Sequence, residues 1–350
     1  MATILLGVTD THWSPRKPRS RRDDFIATQV RKIQDIVKLS KRLNWRGRPQ
    51  SAQAIIHSGD MFHNNKGDQI DRSLDTTLIS AIQPRPECPW LAIPGNHDME
   101  NDRVEALKSH PMGVFHIAGV VDLVIWPHYR VVKGPEPSDP PVIVTGIPYT
   151  QEGPAKWLAA QSVSQDLVRL KRSIAPNAHV VLMTHCHWGP VEGQINGEPI
   201  VAHYLATEAG ATVHMYGHPH TNDGVSLIQG PDGPISIVGP GALIRGTLAE
   251  HDVNRQPNIM IAAFNGDGTH ECVLVPIPHE PAEVVFDLEK HERQRQERVR
   301  EERFVQQLRT LTPETTDPEQ LLVAASDRTP ARVLMKTRSF IEEATIEMNQ

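Results

Sequence analysis

Residues 91–100, "LAIPGNHDME", set the problem: an apolar run, a break at Pro94 and Gly95, then Asn96, His97 and Asp98 side by side where the chain turns. Three successive polar side chains serve a core poorly, because each would need a partner out of water. They suit a strand that delivers reactive groups from its carboxyl end. Four other runs share the pattern. "TILLGV" (3–8), "AIIHS" (54–58), "HVVLMT" (179–184) and "TVHMYG" (212–217), like "WLAIP" (90–94), read as buried strands bounded by turn signals. In chain order the five lead into Asp10 and His12, Asp60 and His63, Asn96 to Asp98, His185 and His187, and His218 and His220.

Between the first two runs, residues 23–43 place Phe25, Ile26, Val30, Ile33, Ile36, Val37 and Leu39 near helical spacing, which predicts a connecting helix and an α/β pattern. "KGPEPSDPP" (133–141) reads as an exposed loop, and 225–277 as further short β runs broken by Gly and Pro. In open α/β sheets ligand sites gather beyond the carboxyl ends of the strands, so five distant clusters can converge.

Composition narrows the chemistry. The 350 residues carry a net charge of −6, which argues against coating nucleic acid by bulk charge but leaves local basic patches open. Cys88, Cys186 and Cys272 are the three cysteines, without CxxC spacing, so neither a disulfide framework nor a thiolate zinc site is expected. No apolar run approaches the roughly 20 residues that span a bilayer, and the apolar start is too short for a signal sequence. The expectation is a cytoplasmic or nucleoid-associated chain that is neither secreted nor in a membrane. Eighteen histidines make their positions the informative feature.

Oxygen and imidazole donors without thiolate suit Mn²⁺, Fe or Zn²⁺. Two Asp, one Asn and four His exceed the needs of one ion, so two ions sharing a carboxylate are expected, with Asp60 as the bridge. Ions paired in this way, about 3.5–4 Å apart, activate a water at neutral pH and clamp the oxygens of an in-line phosphoryl displacement.

D-x-H, G-D, G-N-H-D, a strand-terminal His and G-H-x-H, in this order from about residue 4 to 220, resemble the calcineurin-like metallophosphoesterase superfamily. The resemblance implies a four-layer fold, a two-sheet β-sandwich flanked by helices, over residues 1–282, with a short helical extension at 283–350. It implies that Asp10, His12, Asp60 and His220 hold one metal and Asp60, Asn96, His185 and His218 the second, Mn²⁺ being the first choice over Fe or Zn²⁺. His97 would assist the leaving oxygen, with Asp98 orienting it.

"GDMFHNNKGDQ" (59–69) further resembles the SbcD-type exonucleases and their double-strand-break-repair relatives, nuclease subunits that work with an SMC-like coiled-coil ATPase. His63 stands where phosphoprotein phosphatases carry Asp, and "GPGALIRG" (239–246) is similar to the nuclease P-G-S region, with Ala242 in place of Ser. A DNA substrate agrees with "SPRKPRSRR" (14–22), whose Arg16, Lys17, Arg19, Arg21 and Arg22, with His63, form the expected substrate contacts. The charge-laced stretch 284–310 and a second helix-like segment near 331–346 are the expected ATPase-docking helices, and a homodimer is a further expectation. About 60 residues between His220 and that stretch leave no room for a full DNA-capping domain. A small-molecule phosphodiesterase or phosphatase is the alternative, and a non-catalytic DNA- or ATPase-binding scaffold the second. His187, His203 and His214 read as structural, with His187 also able to stand behind a metal ligand, and Cys186 as a small buried residue.

Overall fold

The computed structural model describes residues 1–64, 72–150, 162–203, 205–208, 210–310, 335 and 338. It resolves into two compact units, Met1–Phe286 and Asp287–Gln350.

Strands are numbered in chain order among the described residues. The first sheet is ordered β17 (His270–Pro276), β16 (Asn258–Asn265), β1 (Ala2–Val8), β4 (Ala54–Ser58), β5 (Trp90–Ile93) and β6 (Asp122–Leu123). The second is β14 (Gly224–Gly230), β15 (Gly233–Gly239), β13 (Val213–Gly217), β9 (His179–His185), β8 (Val142–Ile147) and β7 (Arg130–Val132). Each has a parallel block, β1, β4, β5 and β6 in one and β8, β9, β13 and β15 in the other, with β16 and β17 antiparallel at one margin of the first sheet and β7 and β14 at the two margins of the second.

The central strands read as unbroken apolar runs because both of their faces are covered. Along β1, Leu5 faces inward while Ile4, Leu6 and Val8 face outward; along β9, Val181 and Met183 alternate with Val180 and Leu182. The inward sets meet between the sheets, where Leu5, Ile56 and Ile93 pack with Val144, Val181 and Met215. Outside the first sheet lies the helix Phe25–Lys41, which buries Ile33, Ile36 and Val37 and is capped by Asp24 accepting from the Ala27 amide (3.0 Å). Outside the second, Leu167 of the helix Ser162–Ile174 packs against the opposite face. The result is the expected α/β sandwich of four layers.

Loop 133–141 was expected to be exposed, yet Asp139 and Pro140 are buried: Asp139 accepts from the Glu136 amide (2.9 Å) and pairs with the N-terminal amine (3.4 Å). The charged stretch expected to run unbroken from 284 is interrupted. A short helix Ala282–Val285 ends before buried Phe286, and the second unit then begins a 23-residue helix, Leu288–Thr310, whose first turn Asp287 caps through the Lys290 amide (3.1 Å). The helix-like segment near 331–346 and residues 65–69 of the "GDMFHNNKGDQ" stretch lie outside the described residues, apart from positions 335 and 338. Among the described residues, no helix is long and apolar enough to cross a membrane.

Candidate metal centre

All five parallel strands named by the motifs, β1, β4, β5, β9 and β13, release their chains at one edge of the sandwich. The turns there are tight. Asp10 (φ 49°), His12 (φ 43°), Asp60 (φ 54°) and His218 (φ 93°) all take left-handed backbone conformations, each costing on the order of 1–3 kcal/mol. The break at Pro94 and Gly95 has a steric reason: a Cβ at Gly95 would lie 2.2 Å from Asp60 Oδ1 and 2.4 Å from the Asp60 amide nitrogen. At Gly59 (φ 99°) it would strike the His185 ring at 2.2 Å.

Four groups of donors converge among the described residues: His12, His63 and His97 form one, His187, Glu198 and His218 another, and two carry the motif donors. Asp10, His12 and His220 bring ligand atoms within 4.8 Å of one another, and Asp60, His185 and His218 do the same. Asn96 Oδ1 joins the second group, 3.2 Å from both His185 Nε2 and His218 Nδ1. Asp60 faces both: its Oδ2 is 3.6 Å from His12 Nε2 and 3.3 Å from His185 Nε2, while Oδ1 accepts from the His97 amide (2.8 Å). One oxygen of this carboxylate is thus locked by backbone and the other lies between the groups, as a bridge requires.

The donor chemistry itself tests whether cations fit. His185 Nδ1 lies 2.7 Å from the Ser58 carbonyl, so Nδ1 carries the proton and donates it, and in the neutral ring Nε2 presents a lone pair to Asp60 and Asn96. His12 Nε2 and His220 Nε2 face each other at 3.0 Å, with Asp10 Oδ1 at 3.9 and 3.8 Å. Donor atoms converging this closely in a buried space need a proton or a cation between them. The field shows the same demand. Burial pushes His185 down, but Asp60 and then Asp10 outweigh it and raise the imidazole to about 9. Burial pushes Asp60 up, but His185 holds its carboxyl far below the ordinary range. Burial lowers His12 well below its usual value, keeping a neutral imidazole available as a ligand. The residues fit a dinuclear site.

His97 stands beside this centre, its ring 4.9 Å from that of His12, and His63 stacks on it at 5.3 Å. The orientation of His97 comes from an unexpected source: Nδ1 bonds the His63 carbonyl (2.8 Å). Asp98, expected to orient His97, instead buries its carboxylate and accepts three backbone amides, those of Met61 (3.1 Å), Phe62 (2.9 Å) and Gly95 (2.9 Å). It ties the β4 and β5 loops together. Neighbours in sequence diverge at a turn, and the short Asp side chain reaches the amides before it reaches the ring. Burial, then the charge of Asp60, push its carboxyl up to about 7 against the pull of those amides.

A cleft of about 610 Å³ opens from His12, His63, His97 and His220 toward exposed Arg16, Lys17 and Arg19. Arg21 does not join them. Its guanidinium is buried, pairs with Asp23 (2.6 Å), bonds the Arg245 carbonyl (2.5 Å) and lies over the Phe25 ring, so its charge is committed to the interior. Arg22 also leaves the expected substrate set, since its side chain donates to the Glu283 and Val284 carbonyls. His203 and His214 pack on Trp188, and burial pushes the Cys186 thiol up to about 12.

Two participants went unread in the sequence. Glu198 and Tyr149 adjoin His218, which contacts the Glu198 carboxylate directly, while His187, read as structural or as backing a metal ligand, lies with its ring 4.7 Å from that of His218. The "NG" dipeptide at 196–197, a strong hairpin signal, was the clue that a strand would return there.

The calcineurin-like phosphoesterase family profile matches residues 5–222, a span that holds every donor described above. No curated protein sequence matches the chain. Among solved structures, a 5'-nucleotidase from Candida albicans SC5314 aligns at 11% identity and a TM-score of 0.43, over 79% of this chain and 52% of that one. The chain therefore spans about half the length of that nucleotidase.

Proposed function

The chain belongs to the calcineurin-like phosphoesterase family, metal-dependent hydrolases of phosphoester bonds, and on that premise we propose that it is a dinuclear-metal phosphodiesterase acting on DNA. One observation carries the substrate: the cleft beside the donor groups continues onto Arg16, Lys17 and Arg19, three cations in a chain that is otherwise acidic. A single phosphate would be served at the centre itself. A row of cations leading away from it suits a strand with further phosphates.

Asp10, His12, Asp60 and His220 would hold one ion, and Asp60, Asn96, His185 and His218 the other, with Mn²⁺ preferred and Fe or Zn²⁺ as alternatives. Bound there, the pair supplies an activated water and neutralises phosphate charge. His97 contributes the proton relay. With Nδ1–H donating to the His63 carbonyl, Nε2 is the nitrogen that in the imidazolium form would pass its proton to the departing oxygen and leave a neutral ring. The stacked His63 restricts the ring, and the cleft's cations orient the strand across it.

The direct test incubates the chain and Mn²⁺ with labelled single- and double-stranded DNA. Cleavage by the wild type, and its loss in His97→Ala with both ions retained, is the expected result; no cleavage of any DNA form refutes the proposal. The cleft volume also suits a nucleotide-sized molecule, which sustains the small-molecule phosphodiesterase or phosphatase reading. Preference for cyclic nucleotides or phosphomonoesters over DNA would select it. A scaffold without turnover has no need of His97 so placed.

The proposed partner is an SMC-like coiled-coil ATPase, docking on the second unit. What supports it is the helix Leu288–Thr310, whose described side chains are largely exposed and charged, with an internal Arg295–Glu292 pair (2.9 Å). Co-purification of such an ATPase with the full chain, lost when the charged positions are replaced, is the measurement. Self-association into a homodimer would show in the molar mass by light scattering.

A further inference from the structure

Glu198 comes from none of the motif-bearing strand ends, yet it reaches the centre. "GQINGEPIVA" (193–202) forms a hairpin whose two turn residues, Asn196 (φ 52°) and Gly197 (φ 84°), take the left-handed conformations that match the twist of the flanking strands. Its arms are β11 (Gly193–Ile195) and β12 (Glu198–Ala202), with Ile195 paired to Glu198. β12 also lies parallel to β10 (His187–Gly189), the segment that leaves β9 just beyond His185, with His187 opposite Ile200. The hairpin is thereby fastened to the same chain segment that supplies a metal donor.

Each edge of the His218 ring has its own neighbour. Nδ1 faces Asn96 Oδ1 at 3.2 Å, within the group that includes Asp60 and His185. Nε2 makes a short contact with Glu198 Oε2. That carboxylate is held in turn, with His187 Nε2 3.5 Å from Oε2 and the Tyr149 hydroxyl donating to Oε1 at 3.5 Å.

We propose that Glu198 is the positioning residue of the second metal, accepting the Nε2 proton of His218 and so fixing the tautomer whose Nδ1 lone pair is left for the ion. A carboxylate behind a ligating imidazole locks the ring's angle and raises its basicity, and losing such a partner typically costs about 10–100-fold in metal affinity. His187 and Tyr149 serve to hold Glu198. The inference rests on the dinuclear reading and is independent of whether DNA is the substrate.

The test titrates the full chain with Mn²⁺ by calorimetry, and with Co²⁺ by visible absorption, in the absence of any substrate. The wild type takes up two ions. Glu198→Ala weakens one of them about 10–100-fold, shifts the corresponding Co²⁺ band and leaves the other ion near its wild-type affinity. Glu198→Gln keeps an oxygen that accepts the same N–H and recovers part of the loss. Unchanged uptake of both ions in Glu198→Ala overturns the proposal. So does equal loss of both ions in the Ala and Gln variants together with a lower melting temperature measured in chelator, since the hairpin would then be merely structural. A third wild-type ion that vanishes in Glu198→Ala overturns it in favour of direct ligation by Glu198. Fewer than two wild-type ions removes the dinuclear reading and this inference with it, whereas two ions without DNA cleavage removes only the substrate assignment.

Discussion

Replacing Asp98 by Asn separates two roles that the G-N-H-D motif could give it. As an orienter of His97, Asp98 would govern turnover and little else. As the clamp seen here, it governs stability. Its Oδ2 accepts the Met61 and Gly95 amides and its Oδ1 the Phe62 amide, all buried. In Asp98→Asn the amide oxygen can keep the first two bonds, but without charge each loses about half its strength, roughly 1 kcal/mol apiece. The new NH₂ then meets the Phe62 N–H donor to donor. That loses the third bond and strands a buried amide, a further cost of about 1–3 kcal/mol. Burial and the neighbouring Asp60 already disfavour charge on this side chain, so the neutral amide regains part of the loss. The net expectation is destabilisation by about 2–4 kcal/mol. Urea unfolding in chelator, followed by two optical probes, measures it as a lowered midpoint at unchanged slope. A change below about 0.5 kcal/mol, accompanied by a large fall in turnover, would refute the clamp and restore the orienter.

Gly95→Ala should lose one or both ions and with them at least about 100-fold in phosphodiesterase rate, because the added carbon meets the Asp60 backbone as well as its side chain; metal content by elemental analysis checks this. Converting Arg16, Lys17 and Arg19 to Ala should flatten the salt dependence of duplex DNA binding by up to about 0.9 log units per lost phosphate contact, while hydrolysis of a small chromogenic phosphodiester is unaffected. An unchanged slope would remove these cations from the DNA path. His214, fully buried on β13, is pushed down by burial to about 3, so the unfolded chain binds a proton below about 6.5 that the folded chain refuses. Its contribution is therefore intact above pH 6.5 and is lost as pH falls toward 3, amounting to about 2 kcal/mol by pH 5. His214→Leu should lose correspondingly less stability than the wild type between pH 7 and 5, and parallel profiles from denaturant titrations would contradict this.

The five strands were legible because the layers on either side leave no face for polar alternation, and each donor cluster follows its strand directly. The convergence of more donors than one ion needs was legible too, and Asp60 does lie between the two groups of motif donors. Other roles depend on registers the sequence does not display. Arg21 sits in a basic run, but its carbonyl partner belongs to Arg245 on the far side of the chain, and that contact turns it inward. Asp98 adjoins His97 in sequence while two of its three amide partners lie 36 and 37 residues earlier. Glu198 required both the turn at 196–197 and the pairing of β12 with β10 before it could be placed beside His218.

The first donors encountered by the ribosome cannot act alone. His12 finds its facing imidazole 208 residues later, in His220, and the two come from different sheets. During synthesis the nascent chain offers an ion only an unfinished grip until β13 has emerged and docked. An ion held between these two rings would be gripped in full only late in maturation, and would act as a rivet through the seam of the sandwich.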